Sequence, residues 1–488
     1  MIYFNKEKLR DKIYACWIVK NIGVTIGGPY EGKRELLDIK GFTTPPGEAL
    51  PNDDLDLQLV WLRAATEQGP LALNANVLGE YWTYLIGPHW SEYGVCKANM
   101  RAGLLPPLCG SAFNEEWEHS NGAWIRTEIW ACTNPGRPDN ALRYAFEDAC
   151  VDHGLGEGTY AAIFVAAMES SAFVISDIRR LINIGLAQIP SDCRVAKSVK
   201  MVIDAYDSGM DWKTLRNRIV EDSADLGWFQ APANIAFVIL GLLYGKGDFK
   251  SSMLHAVNCG DDTDCTAATV GAILGILYGT AGVPEDWRAY IGDKITTLAI
   301  VRGWGEFPKT CTELTEKTMA LIPEFTRYKD VGKYIYNTET VTLWDDKDDL
   351  SEITEESLSN NILANKLLNR SKYSFSVEGV FATVLVEYNQ APTIRALGEL
   401  DCRISVGIKS IYAKQDHYTF HWHLPEGWSV EGAHSVFAAP RWYKNEGHAV
   451  ADLKIHAGEQ VEAVNRLILE VRCPDHAMPI LVPVTILG

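Results

Sequence analysis

NCGDDTDCTAATVGAILGILYG, residues 258–279, places three aspartates directly before an apolar stretch rich in alanine and glycine. Apolar residues then recur three and four positions apart, which predicts a helix with one apolar face. The same stretch carries small residues that would let this helix lie close against a neighbour, as in the centre of an all-α bundle: Ala267, Ala268, Gly271, Ala272 and Gly275. The stretch therefore predicts an all-α fold.

A second acidic cluster lies about two hundred residues earlier, in PPGEALPNDDLDLQLVWL, residues 45–62. Asn52, Asp53 and Asp54 again stand before a helix-periodic stretch. Asparagine and aspartate are common helix N-caps, and early carboxylates complement the helix dipole. Carboxylates from two segments can also converge on one hard cation and supply its oxygen ligands. Both interpretations remain open, and the second predicts one shared site.

Composition and charge restrict the class of protein. The net charge of −18 argues against a nucleic-acid backbone as the main partner, because phosphate binding needs a basic surface. The longest apolar run is shorter than a membrane span, and the charged N-terminus lacks the features of a signal peptide. Eleven scattered cysteines, without a CxxC pair, indicate reduced thiols. We expect a cytoplasmic protein with no nucleic-acid or membrane partner; a homo-oligomer remains possible.

The composition and the hydrophobic periodicity of the chain change twice, which predicts a multidomain protein. Residues 1–330 have helical periodicity and predict an all-α domain. Residues 331–370 are acidic and polar, with a short helix expected in ILANKLL, and predict a linker. Residues 371–488 alternate apolar with polar positions in short runs rich in valine, isoleucine and aromatics. That pattern predicts an antiparallel β-sandwich domain of the immunoglobulin or fibronectin type III kind.

Five blocks of the helical region, in order, resemble the motifs of the ADP-ribosylglycohydrolase family. Residues 258–279 resemble its Gly-Gly-Asp-Thr-Asp-Thr signature with the following Ala/Gly-rich helix, and PNDDLDLQLV resembles its Ser/Thr-Asp-Asp-Thr motif. IGVTIGGPYEG, SNGAWIRTEIWACTNP and EDACVDHG resemble its N-terminal turn, its Asn-Gly-x-x-Met-Arg stretch and its histidine-bearing segment. The signature is specific by itself, whereas the other blocks are informative as an ordered set.

The resemblance implies a metal-dependent glycosidase, which cleaves a bond at an anomeric carbon in a cleft that holds one or two Mg²⁺ ions, or Mn²⁺ or another divalent ion. It implies these metal ligands: Asn52, Asp53, Asp54, Asp262, Asp264 and Cys265. Among these, Asp53 and Asp264 are also expected to be catalytic, together with Glu31 on a mobile loop. Asn121, Gly122 and His153 are expected to bind substrate, and Glu157, in the loop after His153, is a further candidate.

Departures from the family pattern include both of its hydroxyl ligands. Asn52 and Cys265 stand where hydroxyl ligands are expected, and Val24 replaces an aspartate. An amide oxygen is a reasonable hard ligand, but a thiol is soft and prefers zinc or copper to magnesium. Thr266 lies one residue, about 100° round a helix, beyond the position of Cys265 and cannot simply replace it. These departures leave open a lower metal affinity, the loss of one ion, or a substrate other than ADP-ribose.

The substrate class stays open between two chemistries. The family resemblance implies an ADP-ribosyl adduct. The chain also contains 15 Trp and 20 Tyr, and aromatic faces are common platforms for sugar rings, which favours a carbohydrate glycoside. A third possibility is a family member that binds ADP-ribose or a sugar with little or no turnover, which the altered hydroxyl ligands favour. The four retained aspartates and Glu31 favour catalysis.

Overall fold

The computed structural model describes residues 2–47, 49–301, 303, 305–327, 341–380, 382–409, 416–438 and 448–488. Its helices are α1 Lys6–Gly27, α2 Asp53–Gln68, α3 Ala75–Leu85, α4 Ser91–Ala102, α5 Leu108–Ser111, α6 Glu128–Thr133, α7 Pro138–His153, α8 Glu157–Ala172, α9 Ile178–Leu186, α10 Arg194–Asp207, α11 Trp212–Asp222, α12 Ala231–Tyr244, α13 Phe249–Asn258, α14 Thr263–Tyr278, α15 Glu285–Ile291, α16 Cys311–Arg327, α17 Glu355–Leu358 and α18 Ile362–Leu368. Its strands are β1 Ile2–Asn5, β2 Val341–Trp344, β3 Leu350–Ser351, β4 Tyr373–Glu378, β5 Ala382–Tyr388, β6 Glu399–Ile408, β7 Asp416–His423, β8 Ser429–Gly432, β9 Ser435–Ala438, β10 His448–His456, β11 Val464–Arg472 and β12 Ile480–Leu487.

The chain forms two compact units whose limits differ from the predicted domains. Among the described residues, the first unit comprises 2–88, 116–327 and 341–368, and the second comprises 89–115 and 369–488. Residues 89–115, predicted to be part of the helical domain, therefore belong to the second unit with α4 and α5. The helical periodicity of this segment identified its secondary structure but not the unit in which its apolar face is buried.

The centre of the first unit is the antiparallel pair α1 and α14. Side-chain atoms on glycines would collide with the facing helix: a Cβ on Gly275 would lie 2.7 Å from the carbonyl oxygen of Ala15, and Gly271 similarly faces Val19. Gly23 of α1 faces the backbone of Ala268 in the same way. The prediction that small residues permit close helix packing is confirmed, and this packing fixes the start of α14 against the end of α1.

A three-stranded sheet, ordered β2-β1-β3, lies within the first unit. β1 pairs in parallel with β2 and antiparallel with β3, so that Ile2 is opposite Val341 and Tyr3 is opposite Leu350. The described part of the segment predicted to be a linker thus contains two short strands and two short helices. The short helix expected in ILANKLL is confirmed as α18.

The second unit contains two antiparallel sheets, with strand orders β4-β5-β6-β10-β8 and β12-β11-β7-β9. Buried and exposed residues alternate along β5, β6 and β10, so this sheet has one buried face. The predicted antiparallel architecture after the helical region is confirmed, whereas the immunoglobulin or fibronectin type III strand order stays a prediction.

Two sequence-level expectations about the chain as a whole can be compared with the described residues. All eleven cysteines lie within them, are buried and form no disulfide, which confirms the prediction of free thiols. None of the described helices combines the length and the apolar character that a membrane crossing requires.

Candidate metal and active site

The two acidic clusters meet in the first unit. The amide Nδ2 of Asn52 donates a hydrogen bond of 2.6 Å to Oδ2 of Asp264, although 212 residues separate them. The thiol of Cys265 lies 3.6 Å from Oδ2 of Asp54. The prediction that these segments converge is therefore confirmed, and helix capping alone does not explain their arrangement.

Asn52 has two tasks at the start of α2. It is the N-cap residue with an extended backbone, and its Oδ1 accepts a hydrogen bond of 2.7 Å from the amide of Asp54. Its amide nitrogen at the same time reaches Asp264. The capping interpretation is thus correct for this residue, but the cap also fixes the distance between the two acidic segments.

The turn before α14 is held to the loop that bears Glu31. The amide of Gly32 donates to the carbonyl of Asp261 at 2.9 Å, and the amide of Asp261 donates to the carbonyl of Lys33 at 3.0 Å. Asp261 has φ = 61°, a left-handed conformation that aspartate tolerates better than most residues. It stands where the family signature has glycine, and Arg34 and Arg216 lie 3.6 and 3.9 Å from its carboxylate.

Burial and mutual repulsion raise the pKa values of the clustered carboxyls. Desolvation, then Asp264 and Asp53, raise the pKa of Glu31 to about 8. Burial, then Asp264, raises the pKa of Asp262 well above its usual range, while the hydrogen bond from Asn121 opposes the shift. Burial and the neighbouring carboxylates also raise the pKa of the Cys265 thiol, which keeps it protonated. Such a group of carboxyls favours binding of a cation over full ionisation without one.

The donor set fits a hard divalent cation. One donor atom each from Glu31, Asp262 and Asp264 lie within 4.8 Å of one another, and the same is true of Asp54, Asp264 and Cys265. Oδ1 of Asp262 and Oδ1 of Asp264 are buried and accept no hydrogen bond from a described residue. Buried carboxylate oxygens without donors are costly unless a cation or another group satisfies them. These oxygen atoms are the ligand type that Mg²⁺ and Mn²⁺ prefer.

Asn121 and Gly122, expected to bind substrate, lie beneath the acidic cluster and are buried. Nδ2 of Asn121 donates to Oδ2 of Asp262 at 2.7 Å, and its Oδ1 accepts from the indole of Trp124 at 3.1 Å. The carbonyl of Gly122 accepts from Arg126, which also pairs with two buried aspartates of α7. Asn121 thus orients the carboxylate of Asp262, Gly122 binds Arg126, and the contact of both residues with substrate stays a prediction.

His153 is fully buried. Its Nε2 lies 2.8 Å from Oγ of Ser120, and its Nδ1 lies 3.0 Å from the carboxylate of Asp152. The chain of serine, histidine and aspartate has the order of a hydrolase triad, but all three side chains are inaccessible to solvent. The arrangement fixes the loop that carries Asn121, adjacent to Ser120.

Glu157 is engaged by the backbone of another helix. Its two carboxylate oxygens accept hydrogen bonds from the amides of Arg194 and Val195, at 2.8 and 2.9 Å, at the start of α10. A carboxylate at a helix N-terminus satisfies free amides and complements the dipole. The contacts of Glu157 are therefore those of a helix cap, while its predicted contact with substrate stays a prediction.

Sequence reasoning missed a buried polar network under the site. The ammonium of Lys20 lies 2.6 Å from Glu128 and 3.2 Å from Asp54, and all three side chains are fully buried. Gln58 donates to the same Glu128. Burial alone would lower the pKa of Lys20, but Glu128 and Asp54 raise it, so the lysine is charged. The sequence held a partial signal, since Lys20 interrupts the apolar stretch of α1, and a buried charge is normally paired.

Half-buried aromatic rings border the loop of Glu31. Trp228 lies beside Gly32 and contacts Phe229, whose ring centroid is 5.2 Å away; Trp117 lies 6.3 Å from Phe229. Asn234 donates to the carbonyl of Trp228 and accepts from the amide of Asp262, which links these rings to the acidic cluster. By contrast, Trp17, Trp61, Trp82, Trp124 and Trp130 are fully buried core. The three rings of the border offer flat apolar surface next to the carboxylates.

Comparisons with known proteins agree with this site. The family model described as ADP-ribosylglycohydrolase matches residues 5–315. The ADP-ribosylarginine hydrolase Tri1 of Pseudomonas putida (strain GB-1) is 40% identical over 48 residues, which are 10% of this chain and 13% of that protein. The protein of the same name from Serratia proteamaculans (strain 568) is 42% identical over 59 residues, 12% of this chain and 16% of that protein. The chain thus matches less than a fifth of the length of these relatives.

A solved structure is also similar to part of this chain. It is described as an ADP-ribosylglycohydrolase-related protein complex, covers 65% of this chain and 98% of its own, and is 17% identical with a TM-score of 0.45.

Proposed function

The chain belongs to the ADP-ribosylglycohydrolase family, and from that membership we propose that it is a divalent-metal-dependent hydrolase of the glycosidic bond in an ADP-ribosyl adduct. The observation that carries the proposal is the meeting of Asn52 and Asp54 with Asp264 and Cys265 in one buried acidic site. The family acts on ADP-ribose glycosidic bonds. The names of the two Tri1 relatives support an adduct on arginine as the first substrate to test.

The residues of the site have two proposed roles, to bind the cation and to transfer a proton. The proposed ligands are Asp53, Asp54, Asp262 and Asp264. A bound divalent ion supplies positive charge that orients sugar hydroxyls and lowers the pKa of a bound water. Glu31, a carboxyl whose pKa is raised to about 8 by burial and by Asp264 and Asp53, is suited to exchange a proton with the leaving atom. It can then accept a proton from the attacking water, as paired carboxyls do in glycoside hydrolysis.

A carbohydrate glycoside is the second candidate substrate. The half-buried Trp117, Trp228 and Phe229 next to the acidic site favour it, because aromatic faces and sugar rings pack well together. The same rings could stack on an adenine base, so the aromatic border does not by itself distinguish the two substrates.

The decisive experiment compares two substrates with the whole chain. An arginine peptide carrying a single ADP-ribose and a set of nitrophenyl glycosides are assayed with Mg²⁺ and with EDTA. We expect release of ADP-ribose that EDTA abolishes and that Asp264→Asn lowers by about 10²-fold or more, because ligand geometry is lost. Asp204→Asn, at an exposed position of α10, is the matched control and should retain wild-type turnover.

Three other outcomes separate the alternatives. Hydrolysis of only the nitrophenyl glycosides would favour the carbohydrate. Tight binding of ADP-ribose without turnover would favour a binding protein. Turnover that is insensitive to both EDTA and Asp264→Asn would refute the metal-dependent site. A cytoplasmic location, the absence of a nucleic-acid partner and a possible homo-oligomer accompany the proposal as predictions.

A further inference from the structure

The acidic site contains two overlapping groups of ligands that share Asp264. The outer group is Glu31, Asp262 and Asp264, and the inner group is Asp54, Asp264 and Cys265. Within each group one donor atom per residue lies within 4.8 Å of the others. Two groups that share a carboxylate have the layout of a site for two neighbouring cations. The environments of the two groups nevertheless differ in charge and in ligand type.

The outer group is made of oxygen atoms with unused acceptor capacity. Asp262 is 1% exposed and Asp264 is 3% exposed. Oδ1 of each accepts no hydrogen bond from the described part of the chain, while their Oδ2 atoms are held by Asn121 and Asn52. These two oriented oxygens, with Glu31 beside them, are a suitable place for one hard dication.

The inner group is already supplied with positive charge. The ammonium of Lys20 lies 3.2 Å from Oδ1 of Asp54, and the thiol of Cys265 donates toward Oδ2 of the same carboxylate at 3.6 Å. Oδ1 of Asp54 thus has the ammonium as a charge partner, although it accepts no hydrogen bond from a described residue, and Oδ2 accepts the long contact from the thiol. Sulfur is a poor ligand for Mg²⁺, and a dication here would be repelled by the buried ammonium, since charges interact strongly where water is excluded.

Lys20 cannot move away to make room for a cation. Its side chain is fully buried, and it is anchored at 2.6 Å by Glu128, which in turn accepts a hydrogen bond from Gln58. Separating the ammonium from Glu128 would leave an uncompensated buried charge, which is strongly destabilising. The positive charge at the inner group is thus a permanent part of the fold.

We propose that this protein binds a single divalent cation, at the outer group, and that the ammonium of Lys20 provides the second positive charge at the inner group. The inference rests on the metal-dependent function proposed above, and among the ligands proposed there it leaves Asp54 paired with Lys20 instead of bound to the ion. Lys20 is then a positioning residue for Asp54. The presence of Cys265 in place of a hydroxyl ligand is then explained by the absence of an ion at the inner group.

The test is the stoichiometry of Mn²⁺ in the full chain, measured by calorimetry and by electron paramagnetic resonance. We expect one Mn²⁺ per chain with the spectrum of an isolated ion, displaced by excess Mg²⁺. Two Mn²⁺ per chain with an exchange-coupled spectrum would overturn the inference and leave the metal-dependent function intact. Failure to bind Mn²⁺ at all would instead refute the metal-dependent function, and the inference with it.

Variants distinguish the roles of Lys20 and Cys265. Cys265→Ser restores a hydroxyl but keeps the ammonium, and should still bind one Mn²⁺; uptake of a second ion would show that Lys20 does not exclude it. Adding Lys20→Met and Glu128→Gln removes the buried pair together, and the folded triple variant should bind two ions. A folded triple variant that binds one would also contradict the role of Lys20. If it does not fold, the wild type and Cys265→Ser still decide.

Discussion

Substituting Gly23 by alanine tests whether the close contact of α1 and α14 builds the site. An ideal Cβ at Gly23 would stand about 1 Å inside ordinary van der Waals contact with the backbone of Ala268. Backbone atoms cannot rotate out of the way, so the helices must separate by a similar distance. Asp264 lies one turn before Ala268, and Glu31 follows the end of α1, so the separation changes the distance between these carboxyls.

Gly23→Ala is expected to change the free energy of unfolding only slightly and the turnover rate strongly. Overpacking typically costs about 1–3 kcal/mol, and replacing a helical glycine by alanine recovers about 1 kcal/mol of helix propensity. The free energy of unfolding of Gly23→Ala should therefore fall by about 0–2 kcal/mol. A displacement near 1 Å in a catalytic site can reduce turnover by about 10²-fold. We expect a protein that folds well but binds Mn²⁺ weakly and turns over slowly.

The assay combines urea unfolding with Mn²⁺ titration and turnover of the ADP-ribosylated peptide. Gly41→Ala is the matched control, since a Cβ there would meet no atom within 4 Å. Gly41→Ala should match the wild type in all three measurements. If Gly23→Ala also matches the wild type in all three, the two helices are not held as closely as described and the reasoning is wrong.

Three further predictions concern single side chains. Because Glu31 has a pKa raised to about 8, cation binding at pH 7 should release protons, and metal affinity should rise from about pH 6 to 9. Calorimetry in buffers of different ionisation enthalpy measures the number of protons released. A measurement of no net proton release would contradict the prediction. Arg126→Met removes the guanidinium that pairs with two buried aspartates of α7, and should lower the free energy of unfolding by about 3–5 kcal/mol. Arg194→Met, at a partly exposed pair, should cost at most about 1 kcal/mol in urea unfolding, and equal losses would refute the distinction. Glu157→Gln weakens the cap of α10 and should lower the free energy of unfolding by about 0.5–2 kcal/mol, while the KM for the ADP-ribosylated peptide stays unchanged. A raised KM with an unchanged free energy of unfolding would instead favour the substrate contact that the sequence predicts.

The features that sequence predicted well depend on local patterns. The periodicity and small residues around Gly271 identified a helix that packs closely, and the two acidic clusters identified the residues that meet at Asp264. The order of the family motifs indicated that these distant segments come together, because the ligands of a shared metal site must lie close in the fold whatever their separation in sequence. For these reasons the all-α region and the acidic centre could be predicted from the sequence alone.

The features that sequence did not predict depend on tertiary partners. Lys20 and Glu128 are 108 residues apart, and nothing in the periodicity of either helix indicates that they pair. The contact of His153 with Ser120 likewise joins positions 33 residues apart, and the predicted contact of His153 with substrate stays a prediction. The acidic stretch after residue 330 resembled a linker because its strands are short, and their pairing with Ile2–Asn5 cannot be read from composition.

The pairing of β1 with β2 constrains how the protein is made. β1 leaves the ribosome before its parallel partner Val341–Trp344, which is translated more than three hundred residues later. At about 5–20 residues per second, β1 waits on the order of tens of seconds for its neighbour. During translation that edge is open to wrong partners, so nascent chains arrested before residue 341 should be the species that chaperones retain.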